Sequence, residues 1–171
     1  GAAGCGRRPE GGPMTSVSIT LNGHLLKAEV EARTSLADLI REQPGCTATH
    51  LACEHGVCGA CTILVDGKPV RSCITLAAQA SGQDVQTLEG LADEPAMAII
   101  RQAFHEAHGL QCGFCTPGML ITVRDMLARG KAADDTEIRR ELSGNICRCT
   151  GYMGIVEAVK LARDRLREAS G

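Results

Sequence analysis

The hydrophobic pattern changes character once along the chain. From Val17 to Leu21, and again from Leu25 to Val30, apolar and polar positions alternate with the two-residue period of half-buried strands. Asn22-Gly23 between them suits a two-residue hairpin, because both residue types tolerate positive φ. Thr34-Ser35, with Asp38 one turn on, predicts a helix start. Leu36, Leu39 and Ile40 then make one face of a short helix that Pro44-Gly45 ends. The stretch 47–61 has no period and reads as a loop. Thr62 to Val65 and Val70 to Thr75 read as strands joined through Asp66-Gly67, with Cys73 on the second, and Val85 to Leu88 as a last strand.

After Gly90 the period becomes helical. Pro95 suits a first helical position, and Met97, Ile100, Phe104 and Ala107 follow it until Gly109. Thr116-Pro117 opens a second helix, with Leu120, Val123 and Leu127 on one face and Gly130 at its end. Asp135 is the expected cap of a third, carrying Ile138 and Leu142. From Gly154 a fourth turns Ile155, Val159, Ala162 and Leu166 inward and Lys160, Arg163, Arg165 and Arg167 toward solvent. These stripes, with Met119 and Met126, read as core faces. The expected architecture is α+β: a disordered tail at 1–15, a small mixed domain at 16–90 and a four-helix bundle at 91–171.

Composition narrows the class. The chain has 171 residues, 44% hydrophobic but only 2% aromatic, so its core is aliphatic. Ten cysteines would make a disulfide framework only in a secreted context, and nothing in Gly1 to Pro13 supports one. Arg7-Arg8 is followed by no hydrophobic region, so it is not read as a twin-arginine signal. No apolar run is long enough for a membrane span. The net charge of −2 and only three aromatics, Phe104, Phe114 and Tyr152, argue against a nucleic-acid module. The expectation is a soluble, cytoplasmic chain whose thiols hold metal.

Eight of the ten cysteines fall into two quartets. Cys53, Cys58 and Cys61 stand as C-x4-C-x2-C, with Cys73 downstream, which is the plant-type [2Fe–2S] ferredoxin spacing. One loop must wrap such a cluster while a neighbouring element brings the fourth thiolate, and Gly56 and Gly59 let backbone N–H groups approach sulfur. A zinc site is the alternative, and His55 activating Cys58 as a nucleophile is a further one. The second quartet joins Cys112-x2-Cys115 to Cys147-x-Cys149. Cys115 immediately precedes the expected helix start at Thr116-Pro117, whose dipole favours an anionic group, and Arg148 adds positive charge unless it simply faces water. Cys5 has no partner spacing, and Cys46 reads as a spare structural thiol.

Together the stretches AC-EHGVCGAC, LQCGFCTPGM and GNICRCTGY resemble the small iron–sulfur subunit of the molybdenum hydroxylases, the xanthine oxidase family, over about Ser16 to Arg167. Ala52 departs from a glycine frequent there. The resemblance implies a β-grasp, ferredoxin-like domain holding one [2Fe–2S] cluster on Cys53, Cys58, Cys61 and Cys73. It implies a second [2Fe–2S] cluster on Cys112, Cys115, Cys147 and Cys149 in the helical domain. It further implies that Gln111 and Cys149 contact a molybdopterin on a large partner subunit, and that the ferredoxin-like cluster faces FAD on a medium subunit, in a dimer of heterotrimers. The chain itself carries no G-x-G-x-x-G or P-loop for another cofactor. It is then an electron relay within a multi-subunit oxidoreductase whose substrate chemistry is on another chain; a free-standing ferredoxin-type carrier is the alternative.

Overall fold

The computed structural model describes residues 12–169; Cys5 and most of the expected tail lie outside them. Strand β1 (Met14–Leu21) begins three residues before the alternating run, because Met14 and Thr15 already pair with Glu31 and Val30 of β2 (His24–Glu31). The Asn22-Gly23 turn joins them as expected. Helix α1 (Leu36–Arg41) starts at Ser35, whose Oγ accepts from the Asp38 backbone N–H at 3.1 Å. Strand β3 (Thr62–Val65) turns through Asp66-Gly67 into β4 (Lys68–Arg71), and β5 (Asp84–Gln86) follows. The sheet order is β2-β1-β5-β3-β4, with β1 and β5 parallel and the other pairs antiparallel. With α1 packed against it, this is the β-grasp arrangement.

The expected strand at Val70–Thr75 is a correction. β4 stops at Arg71, and Ser72–Ile74 forms a 3-10 turn that carries Cys73. The Ser72 N–H still donates to the Cys61 carbonyl at 3.3 Å, in register with the β3–β4 ladder, but Ser72 Oγ turns onto the same carbonyl at 2.7 Å and the Thr75 N–H closes back on the Ser72 carbonyl at 3.4 Å, so the chain curls into the turn.

Four helices follow: α2 (Pro95–Glu106), α3 (Thr116–Ala128), α4 (Asp135–Glu141) and α5 (Met153–Ala169). Two local expectations shift by one residue. The left-handed residue that ends α2 is His108 (φ 53), not Gly109, and the cap of α4 is Asp134, whose carboxylate accepts from the Glu137 N–H at 2.8 Å. The cations of α5 are less free than a solvated face implies. Arg165 pairs with Glu106 of α2 at 2.6 Å, Arg163 donates to the Ala132 carbonyl at 2.8 Å, and Lys160 pairs with Glu157 and Asp135.

Apolar burial forms two cores. One lies between the sheet and α1, around Ile19, Leu36, Leu39, Ile40 and Ile63. The other lies among the helices, around Met97, Ile100, Phe104, Met119, Met126 and Val159. Strand β3 belongs to both, with Ile63 and Val65 in the first and Leu64 in the second. That explains the unbroken burial of Thr-Ile-Leu-Val: a strand covered on both faces needs no polar side. Among the described residues no helix is long and apolar enough to cross a membrane.

Candidate metal centres: two sites of paired thiols

The first quartet sits where the loop 53–61 runs into β3. The loop turns back on itself through positive-φ residues at Glu54 (51°), Gly56 (77°) and Gly59 (75°). This brings the backbone N–H groups of His55 and Cys58 onto Cys53 Sγ, both at 3.4 Å. Those two donors, aided by the Cys58 thiol, lower the Cys53 thiol to about 6. Cys73, presented by the 3-10 turn, meets Cys61. Its thiol is pushed up to about 11, first by burial and then by the hydrogen bond with Cys61, while the Gly56 N–H works the other way. The sulfurs therefore meet as Cys53 with Cys58 and Cys61 with Cys73. His55 is not placed as a base for Cys58: its Nδ1 is hydrogen-bonded to the Cys53 carbonyl instead.

The second quartet lies between the α2–α3 connection and the segment before α5. Cys112 and Cys149 are exposed, with their sulfurs 3.5 Å apart. Cys115 caps α3 and is hydrogen-bonded to the buried Cys147. Burial, then Cys147, drives the Cys115 thiol up to about 12. At Cys147 burial also opposes ionisation, but Thr150 Oγ1, 3.1 Å away, and backbone N–H groups of Thr150 and Cys149 overcome it and lower the thiol. Arg148, between two of the cysteines, is exposed, and so is Gln111. Cys46 lies in the sheet core, and burial raises its thiol.

Several supporting residues carried no local signal in the sequence. The His50 ring stacks on Phe114 with centroids 4.7 Å apart, and its Nδ1 donates to the Phe114 carbonyl at 2.7 Å. The first half thus holds the loop between Cys112 and Cys115. Tyr152, at φ 69°, accepts the Cys147 N–H at 2.8 Å and donates to the Asn145 carbonyl at 3.0 Å, bracing the Cys-x-Cys turn. Of these residues Tyr152 alone had a local cue, as the chain's only tyrosine, three residues after Cys149. The seam between the halves is direct. The Ile146 N–H donates to the Cys58 carbonyl at 2.8 Å, and Asn145 Nδ2 reaches the Gly59 carbonyl at 3.3 Å. A Cβ on Gly118 of α3 would collide with that same Gly59 carbonyl.

Among the described residues no three Cys, His, Asp or Glu side chains gather as a site for a single metal ion. The thiols meet two by two instead, two pairs in each site. A [2Fe–2S] cluster asks for such a donor set, with two thiolates for each of two irons and N–H groups directed at sulfur. The residues present fit that group twice. The chain is thus a double [2Fe–2S] protein built on a β-grasp half and a helical half.

Comparison with known proteins agrees and narrows the class. Residues 26–103 match the family model described as a 2Fe-2S iron-sulfur cluster binding domain, and 87–160 match the [2Fe-2S] binding domain. The chain is 52% identical over 147 residues to caffeine dehydrogenase subunit gamma of Pseudomonas sp. (strain CBB1), covering 84% of this chain and 88% of that one. It is 44% identical over 146 residues to the xanthine dehydrogenase iron-sulfur-binding subunit of Escherichia coli O157:H7, covering 84% and 91%. Among solved structures it superposes on a chain of quinoline 2-oxidoreductase from Pseudomonas putida 86 with a TM-score of 0.82 at 45% identity, covering 92% of this chain and 99% of that one. The chain belongs to the family of small iron–sulfur subunits of the molybdenum hydroxylases. Relatives that are themselves subunits of oxidoreductase complexes do not favour a free-standing carrier.

Proposed function

We propose that this chain is the electron-transfer subunit of a molybdenum hydroxylase or dehydrogenase, working in the cytoplasm as part of a hetero-oligomer. Its helical half faces a molybdopterin held by a large subunit, with Gln111 and Cys149 as the contact residues. Its β-grasp half faces FAD held by a medium subunit, and the assembly is a dimer of heterotrimers. Cys53, Cys58, Cys61 and Cys73 hold one [2Fe–2S] cluster, and Cys112, Cys115, Cys147 and Cys149 hold the other. Each cluster, when bound, supplies a one-electron carrier.

The observation that carries this reading is the contact between the two ligand loops. Cys58 accepts from the N–H of Ile146, the residue before Cys147, so one hydrogen bond links the sites without a gap of solvent. Each site also has an open side. Cys112 and Cys149 are exposed, with Leu110, Phe114, Ile146 and Met153 exposed near them in the chain. Val57, Ile74 and Leu76 are exposed around the first quartet. Exposed apolar side chains round each site are what two docking partners need. The purified complex should contain about four irons for each copy of this chain and give two paramagnetic signals on reduction. Fewer irons, or no signal, would overturn the assignment.

A further inference from the structure

The seam between the two sites contains one cation that no ion pair accounts for. Arg71 ends β4, and its half-buried side chain reaches across to the helical half. Nη1 donates to Thr62 Oγ1 at 2.5 Å, and Nη2 donates to the Gly144 carbonyl at 2.6 Å. Thr62 follows Cys61, Cys73 lies two residues beyond Arg71, and Gly144 immediately precedes the Asn145–Cys147 segment that lies against the first loop. Its two partners are both uncharged. Arg124, Arg129 and Arg165 each have a carboxylate at 3.0 Å or closer, whereas among the described residues none lies within ion-pair distance of Arg71. Holding a guanidinium in a partly dry seam with neutral acceptors alone is unfavourable unless anions stand nearby. Two ferric ions, two sulfides and four thiolates sum to about −2 at each quartet, and one-electron reduction adds a further negative charge.

We infer that the Arg71 guanidinium is a fixed cation shared by both quartets, and that it raises the reduction potential of both clusters. The inference rests on the two-cluster reading above. The direction follows from Coulomb attraction, because a fixed positive charge favours the more negative, reduced form. Position follows from the two hydrogen bonds, which hold the charge between the sites rather than beside one of them. Arg71 is thus a positioning and electrostatic residue and ligates nothing itself.

The test is a dithionite titration of the native complex followed by EPR. Arg71→Gln is expected to lower both midpoints, seen as several-fold less reduced cluster at a fixed ambient potential; a tenfold change is ~59 mV for a one-electron couple. Arg71→Lys loses the forked geometry but keeps the charge, so both midpoints should stay near the parent values. Arg33→Gln, an exposed arginine paired with Glu31 on the far strand, should move neither. If Arg71→Gln fails to assemble, Gly144→Ala carries the test. Its new Cβ would stand 2.6 Å from Arg71 Nη2, so the flexible guanidinium is pushed from the seam and both midpoints fall. Unchanged midpoints in Arg71→Gln or Gly144→Ala, a change at one cluster only, or Arg71→Lys falling as far as Arg71→Gln would overturn the inference. A parent complex without two signals would bring down the two-cluster reading itself.

Discussion

Cys53 and Cys115 stand at opposite ends of the acidity range available to a thiol here. Two backbone N–H groups lower Cys53 to about 6, while burial and Cys147 push Cys115 up to about 12. The thiolate is the reactive form. Once iron is removed, iodoacetamide at pH 7 should therefore modify Cys53 well before Cys73 or Cys115, as read by peptide mass spectrometry. The sign is fixed by the depressed value: below about pH 6 Cys53 takes up its proton and its labelling slows with falling pH, while it still leads Cys115; the lead narrows only as pH rises towards the raised values of Cys73 and Cys115. Labelling of Cys115 first would contradict the geometry. The ligand assignment has its own residue-scale test. Cys58→Ser should abolish one of the two EPR signals and Cys149→Ser the other; loss of the same signal in both would break the division into quartets.

At the scale of elements, the close approach of α3 to the first loop decides the sign of a substitution. In an isolated helix Gly→Ala is favourable by ~1 kcal/mol. At Gly118 the added methyl would meet backbone, the Gly59 and Ala60 carbonyls, which cannot swing aside. Gly118→Ala should therefore destabilise by about 1–3 kcal/mol, lowering the urea midpoint of the chain, and should disturb the cluster proposed on the first quartet as well. Unchanged stability would contradict this close approach of α3 to the loop. Such contacts also mark the limit of what the sequence reveals. The Asn22-Gly23 and Asp66-Gly67 turns, the Ser35 cap and the helical stripes are legible because their causes lie within a few residues. Cys73 was misplaced on a strand because Val70 and Ile74 favour extended chain, whereas the bonds that curl the chain are made by side chains, from Ser72 Oγ to the Cys61 carbonyl and from Thr75 Oγ1 to the Arg71 carbonyl. His50, Arg71 and the pairing of thiols within each quartet depend on partners far off in the chain, so no local pattern announces them.

For the whole molecule, the quartets say more about function than the fold does. A β-grasp sheet and a helical bundle are each common frameworks, and the assignment rests on the eight thiols they position. What the three-dimensional arrangement adds is that the halves are not two independent carriers on one chain. Leu64 of β3 lies in the helical core, Arg71 reaches Gly144, and His50 holds Phe114. Ion pairs on the helical surface, such as Arg129 with Glu141 at 2.6 Å, contribute little beside these, because exposed pairs are typically worth under ~1 kcal/mol.

The bond from Ile146 N–H to the Cys58 carbonyl also bears on how the chain matures. Asn145 is 2% exposed and leans on the Gly59 carbonyl, so part of the bed for Cys147 and Cys149 is built from the other half. A fragment of residues 91–171 would leave Ile146 and Asn145 without those acceptors and expose Leu64's pocket to water. Expressed alone, it should take up far less than the ~2 irons its quartet can hold, whereas co-expression with 12–90 should restore loading, measured by iron content. Synthesis runs in the matching direction, since the β-grasp half leaves the ribosome first. The acceptors on Cys58 and Gly59 are therefore made before the segment that leans on them.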